Sequence, residues 1–284
     1  MSAISENRRY CSDLVRTSDH ERYLTTLFAG RSSRRGLWTL LAFNQEVAKI
    51  RENVNELALG EIRLKWWQEV LQEIEQGEVR KQPVIAELAA LYCYADVRPL
   101  LLETLQARTY EMAAETKTDF AALKRYAYGS GGALHEAMLL LSADQPVPSE
   151  AVLAARSAGA AWTMMGLIRA LPYHWQAGRN MLPEADEAAM QMRNSEQVYG
   201  ALRPTIKRMV DYVESQFNNV IDLYAFVPKE ARVSILCVSL VQLHLDALKK
   251  VELNPFHMGK SEAGDLRKIS RLFWCSFSGR LYAG

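Results

Sequence analysis

The amino-acid sequence predicts an all-α protein, a single bundle of about ten helices. Proline occurs 9 times and glycine 15 times in 284 residues, which leaves too few turns for a β-sandwich or a β-barrel. Apolar residues also recur at helical spacing along most of the chain, and no segment is convincing as a strand. Because no linker or repeat divides the chain, residues 1–284 are predicted to form one domain around a central cavity.

The first half of the chain contains five predicted helices, which glycine and proline separate. In the second helix Leu40, Val47 and Val54 share one face at helical spacing. Gly77 is a plausible stop for the third helix, and Pro99 suits the first turn of the fifth. The five run up to about Ala29, from Leu37 to about Leu57, from Glu61 to about Glu75, from Val84 to Tyr94, and from Arg98 to about Thr116.

A short basic segment, Gly30–Gly36, is predicted to be a loop between the first two helices. Its three arginines, Arg31, Arg34 and Arg35, could meet a diphosphate. The alternative, which the sequence favours, is a solvated connection whose charges contact nothing.

The second half of the chain begins with a predicted helix N-cap at Asp119. The helix that follows carries three glycines within residues 129–132, and each glycine inside a helix costs about 1 kcal/mol relative to alanine. The run therefore predicts a kink, or the close approach of another backbone or a ligand, and Gly159 predicts a further close approach. The later helices are predicted from Glu150 to Ala170 with a bend at Pro172, from Leu202 to about Tyr224, from Lys229 to about Val251, and from Asp265 to about Leu281.

The composition narrows the class of function and the location. A formal net charge of +1 gives no reason to expect a nucleic-acid partner. The four cysteines are far apart in the sequence, which is typical of buried reduced thiols. The N-terminus has no apolar signal-peptide core, and no apolar run reaches the roughly 18 residues that span a bilayer. We expect a cytoplasmic protein that is soluble or attached to a membrane surface through amphipathic helices.

The segment from Ala158 to Pro183 carries the most specific signal in the sequence. Arg169, the pair Gly178-Arg179 and the pair Leu182-Pro183 stand in register with a signature of the squalene/phytoene synthase family. In that family the helix ends Asn-Ile-Leu-Arg-Asp, and a second aspartate, a Gly-Arg and a Leu-Pro follow.

Other segments resemble the same family in the same order, so the resemblance covers most of the chain. Residues 37–43 are similar to the run before its first aspartate cluster, residues 60–67 to the opening of its next helix, and residues 126–134 to its kinked helix over the pocket. The resemblance implies an isoprenoid-synthase-type helical bundle with a central cavity.

The resemblance also implies where two aspartate motifs would bind magnesium. Magnesium prefers oxygen ligands, and ionisation of a prenyl diphosphate needs its charge. In register, the first motif falls on Ala48, Lys49 and Glu52, and the second falls on Ala170 and His174. Because only Glu52 among these positions is an acid, the motifs are degenerate and we assign no catalytic residue and no metal ligand.

Five residues form the candidate ligand pocket, and each has a second interpretation. Glu52 and Glu56 are an i, i+4 pair that could bind a metal, although scattered glutamates are more typical of a solvated helix face. His174 could be a ligand or a base, or a hydrogen-bonded surface histidine. Arg169 and Arg179 could each hold a phosphate, or pair with a buried carboxylate such as Glu52.

Three short segments, residues 43–46, 170–174 and 251–257, resemble a branch of the superfamily that has lost the aspartates. Its mitochondrial member is an assembly factor for respiratory complex I. The resemblance implies a non-catalytic protein whose partners are complex I subunits or assembly intermediates, loosely attached to the inner membrane. Two alternatives stay open, a prenyltransferase that condenses two prenyl diphosphates head to head with magnesium, and a binding module for a prenyl lipid.

Overall fold

The computed structural model describes residues 3–54, 56–112 and 117–281. These residues form thirteen α-helices with short 3₁₀ and π-helical segments between them, and none of the described residues is in a β-strand. The predicted all-α class is therefore confirmed. The helices are α1 (Ala3–Ser18), α2 (His20–Thr26), α3 (Arg31–Glu52), α4 (Leu57–Glu75), α5 (Pro83–Ala89), α6 (Tyr94–Ala107), α7 (Phe120–Ala127), α8 (Ala133–Ser142), α9 (Ser149–Gln176), α10 (Glu187–Met190), α11 (Ser195–Leu223), α12 (Val238–Lys250) and α13 (Asp265–Ser278).

Helix boundaries differ from the prediction along the whole chain, since α11 begins at Ser195 rather than Leu202 and α12 at Val238 rather than Lys229. The predicted first helix is two helices, because the Asp19 side chain accepts a hydrogen bond from the backbone N–H of Arg22 and caps α2. A 3₁₀ segment, Arg108–Glu111, follows α6, and the predicted end of that helix at Thr116 lies outside the described residues. Asp119 is the N-cap of α7, as predicted, and accepts from the backbone N–H of Ala122.

The prediction of a basic loop over Gly30–Gly36 is wrong, because α3 begins at Arg31 directly after Gly30. Arg34 donates hydrogen bonds to three backbone carbonyls around the end of α2 and so joins the two helices. Arg35 forms an ion pair of 2.6 Å with Glu87, which is 3% exposed. Arg34 and Arg35 therefore serve the fold rather than a diphosphate.

Two backbones approach closely in the middle of the bundle, as the glycines predict. Residues Tyr128–Gly132 form a π-helical turn between α7 and α8. Gly131 in this turn lies against Gly159 of α9, so closely that a Cβ atom on either residue would overlap the other's backbone. The contact fixes α9 against the turn, and α9 then continues through Pro172 to Gln176.

Two segments are long and apolar enough to span a membrane by length and composition, Ser149–Gln176 and Lys229–Lys250. The sequence predicted none. Within the bundle, however, 67% of the first apolar window and 83% of the second are buried. Since a helix in a protein core is apolar for the same reason as a helix in lipid, these segments act here as core helices.

The contact between Gly131 and Gly159 predicts that two alanine substitutions in one helix have very different effects on stability. Gly159→Ala is expected to lower the free energy of unfolding by about 3 kcal/mol or more, because the added methyl meets backbone atoms that cannot move aside. Gly166→Ala is the matched control in α9, since nothing lies within 4 Å of its Cβ position. The free energy of unfolding of this control is expected to rise by about 0.5–1 kcal/mol, because alanine has a higher helix propensity than glycine. Guanidinium unfolding followed by circular dichroism measures both, and equal stabilities would contradict the contact.

Candidate functional site

The candidate site lies where the C-terminal ends of α3 and α9 meet. Arg179, three residues after α9, donates a hydrogen bond through Nη2 to the backbone carbonyl of Glu52, at 3.3 Å. Its other terminal nitrogen lies 3.4 Å from the Tyr173 hydroxyl, and its guanidinium lies 5.9 Å from the centre of that ring. The ends of the two degenerate motifs are therefore brought together.

His174 lies within the positive field of this site. Burial lowers the pKa of His174 to about 4, and the charges of Arg179 and Arg51 contribute to the shift. Its Nδ1 atom is buried and has no hydrogen-bond partner. The imidazole is consequently neutral at neutral pH.

Two further cations, Arg51 and Lys117, interact electrostatically with this site. Burial lowers the pKa of Arg51, and the charge of Arg179 lowers it further. Burial also lowers the pKa of Lys117, and the charge of Arg51 lowers this pKa further. Within the part of the chain that the structure describes, no carboxylate lies within 4.0 Å of any of these three cations. We call Arg51, Lys117 and Arg179 the cationic site.

Two acids act on the cationic site, since Glu111 raises the pKa of Arg51 and of Lys117, and Glu187 raises the pKa of Lys117. Of these two, Glu111 is already paired. Its Oε1 atom accepts from Arg108 at 2.6 Å and from the Tyr126 hydroxyl at 2.5 Å, and Arg108 also donates to Asn44 at 2.9 Å. All four side chains are buried. Because a buried carboxylate with a cationic partner is strongly held, Glu111 stays with Arg108 and joins α3 to α7.

Grooves of about 360 and 310 Å³ lie near these residues. The larger is lined by Tyr110 and Tyr126 among others, and the smaller by Lys49 and Trp67 among others. Both are open grooves between neighbouring helices, and the large central cavity stays a prediction.

Arg169 contacts a different set of residues. Its guanidinium lies 3.1 Å from Glu21 and 3.0 Å from Glu262. Glu21 is also 2.9 Å from His244 and 2.7 Å from Lys268. Burial alone would raise the pKa of Glu21, but the hydrogen bond and charge of His244, with Arg169 and Lys268, hold this pKa well below its usual range. Arg169 thus pairs with carboxylates, although not with Glu52 at the end of α3. Its ion pair with Glu21 connects α9 to α2.

The two candidate glutamates do not form a pair on one helix. The helix α3 ends at Glu52 with Asn53 as its C-cap, and Glu56 is the extended N-cap residue of α4. The predicted i, i+4 pair is therefore wrong, since the helix stops between them, and both side chains are exposed. Lys49 donates to the hydroxyl of Ser18 at 3.1 Å.

These residues do not fit a magnesium ion. Ala48 and Ala170 offer no side-chain ligand atom, and magnesium requires several oxygen ligands in an octahedral arrangement. Among the described residues, no group of three or more histidines, cysteines or acids is placed to hold a metal ion. Guanidinium and ammonium groups instead bind phosphate or carboxylate oxygens directly, so the cationic site is suited to an anion.

Two members of the cationic site, Arg51 and Lys117, were not among the candidate residues predicted from the sequence. Arg51 follows Ala48 by three residues and so shares its helix face, a signal that could have identified it. Lys117 lies just before the N-cap of α7, and nothing in the sequence connects it with α3 or α9.

Comparisons with known proteins agree with this fold. The model of the family described as squalene/phytoene synthase matches residues 15–272. A Bos taurus protein named NADH dehydrogenase (ubiquinone) complex I, assembly factor 6 is 28% identical over 62% of this chain, and the match spans about half of that relative, 52%. The Rattus norvegicus protein of the same name is 22% identical over 94% of this chain and 81% of its own length.

Solved structures of synthases share the fold. A dehydrosqualene synthase superposes with a TM-score of 0.78 at 16% identity and covers 98% of both chains. A squalene synthase from Alicyclobacillus acidocaldarius superposes with a TM-score of 0.70 at 19% identity, over 89% of this chain and 97% of its own.

The lowered pKa of His174 predicts a loss of stability in acid. Between its ordinary pKa of 6.5 and about 4, the unfolded chain binds a proton that the folded protein does not bind, so stability falls as the pH falls through this window. His174→Asn is expected to reduce the stability difference between pH 7 and pH 5 by about 1 kcal/mol, an amount that allows for solvent screening. Urea unfolding at both pH values measures this, and an unchanged difference would contradict the burial of His174.

Proposed function

The chain belongs to the squalene/phytoene synthase family, and from that premise we propose that it is a non-catalytic member that assists the assembly of respiratory complex I. The observation that carries the proposal is that four of the five motif positions lack a carboxylate while three cations lie beside them. Magnesium-dependent transfer of a prenyl group needs carboxylates to hold the metal that neutralises the diphosphate. Here Arg51, Lys117 and Arg179 lie where the two degenerate motifs meet.

The cationic site binds the anionic group of a ligand, a prenyl diphosphate or a lipid phosphate, without a metal ion. Burial is the main cause of the lowered pKa values of Arg51 and Lys117, and repulsion adds to it, from Arg179 on Arg51 and from Arg51 on Lys117. A bound anion would relieve that repulsion and accept forked hydrogen bonds from the two arginines. The neutral imidazole of His174 adds an unpartnered nitrogen at the same place.

The partner is a subunit or an assembly intermediate of complex I. Support comes from relatives that are named assembly factors for this complex, one of which matches 94% of the chain. The protein acts from the cytoplasmic side, at the membrane that holds the complex.

Cells of the source organism that lack this chain test the proposal. Their membranes are expected to show reduced NADH:ubiquinone oxidoreductase activity and incomplete complex I on native gels, and the wild-type chain is expected to restore both. The double variant Arg51→Gln, Arg179→Gln is expected to restore only a small part, because the anion loses two of its three cations. Arg203→Gln, an exposed arginine of α11, is the matched control and is expected to restore both fully.

Two results would contradict this account. Normal complex I in the deletion cells would reject the assembly function. Full restoration by the double variant would reject a role for the cationic site while leaving the assembly function in place.

A further inference from the structure

The outward side of α13 is apolar, where the surface of a bundle is usually polar. Leu266 is 84% exposed, Phe273 64% and Phe277 87%. Ile269 and Trp274 are exposed to 43% and 38%. Leu266, Ile269, Phe273 and Phe277 follow one another at intervals of three and four residues, so they form one stripe along the helix. We call these five residues the outer stripe.

The bundle does not use the outer stripe, because α13 is attached through its opposite side. Leu272 and Cys275 are buried against the rest of the protein. Lys268 forms an ion pair with Glu21 at 2.7 Å. Contiguous apolar surface that the fold leaves uncovered typically marks an interaction site.

The charges beside the outer stripe are mostly positive. From the start of α13 to residue 281 the charged residues are one acid, Asp265 in the first turn, and four bases, Arg267, Lys268, Arg271 and Arg280. Lys268 is paired within the bundle, whereas Arg267 and Arg280 are exposed and Arg271 is half-buried. An apolar face bordered by arginines has the composition of a helix that lies in a membrane interface.

A groove of about 550 Å³ extends this surface at the C-terminal end of α13. Phe28 and Phe277 are among its apolar residues, and its charged residues are Lys229, Glu230 and Arg232. The Nε atom of Arg232 is buried without a hydrogen-bond partner. The groove therefore adds two cations against one acid next to the most exposed aromatic side chain of the stripe.

We propose that the outer stripe of α13 docks on an anionic lipid bilayer. The helix lies in the plane of the membrane, with Phe273 and Phe277 among the acyl chains and with Arg267 and Arg280 against the lipid phosphates. Charge selects lipid over a second copy of the chain, because two copies joined through this stripe would bring their arginines together. This inference rests on the proposed function for the membrane location and names the surface that would reach it, and this surface can fail its test while the complex I function stands.

Sedimentation with lipid vesicles tests the proposal on the full chain. The wild-type protein is expected to bind vesicles that contain about one-third phosphatidylglycerol at least tenfold more tightly than vesicles of phosphatidylcholine alone. The double variant Phe273→Glu, Phe277→Glu is expected to bind the anionic vesicles about tenfold or more weakly than the wild type. Ile62→Glu, a 63% exposed apolar residue of α4, is the matched control and is expected to bind like the wild type.

A second variant separates charge from apolar insertion. Arg267→Gln with Arg280→Gln leaves the stripe intact and is expected to lose most of the preference for anionic vesicles. Circular dichroism confirms that each variant is folded, and light scattering measures its oligomeric state. A wild-type protein that stays in solution with both kinds of vesicle would overturn the proposal, as would a glutamate variant that sediments like the wild type. A wild-type dimer that the glutamate variant dissociates would assign the stripe to a second copy and overturn it as well.

Discussion

The contact between the backbones of Gly131 and Gly159 sets the position of α9, on which the site depends. The π-helical turn that carries Gly131 can approach α9 this closely only because neither residue has a side chain. Farther along α9, Arg169 is held by Glu21 and Glu262. With α9 held at these two places, His174 and the Arg179 that follows are placed against the end of α3.

The fold and the chemistry of the site are separable in this protein. The bundle depends on apolar packing and on ion pairs such as Arg108–Glu111, none of which needs a metal. A TM-score of 0.78 at 16% identity shows how little sequence the architecture requires. A metal site depends on a few carboxylates at fixed positions. At the positions that the family resemblance implies for them, Ala48, Lys49, Ala170 and His174 supply no carboxylate and leave the helices intact.

The sequence predicted those features that local patterns determine. Helical periodicity and the scarcity of turns identified the all-α class, and the glycines identified the close approach of two backbones. The register of the family signature identified Arg179 and His174 as candidate site residues. Boundaries were less predictable. Val54 is buried at 5% exposure although α3 ends before it, so its apolar character extended the predicted helix too far.

Contacts between distant residues could not be predicted from local pattern. Glu21 contacts Arg169 and His244, which follow it by 148 and 223 positions. The cationic site likewise depends on Lys117, a residue in an ordinary polar segment. Helical periodicity predicted α13 itself but not which of its two apolar sides the bundle would cover.

The central proposal is that this site has three cations and lacks most of the carboxylates that would hold a metal, so that no prenyl transfer occurs. The most direct measurement is the release of pyrophosphate from farnesyl diphosphate, in the presence of magnesium and a reductant, by folded protein and by a heat-denatured control. The account predicts the same release in both samples. Sustained, magnesium-dependent release above the control, with a condensed prenyl product, would contradict it.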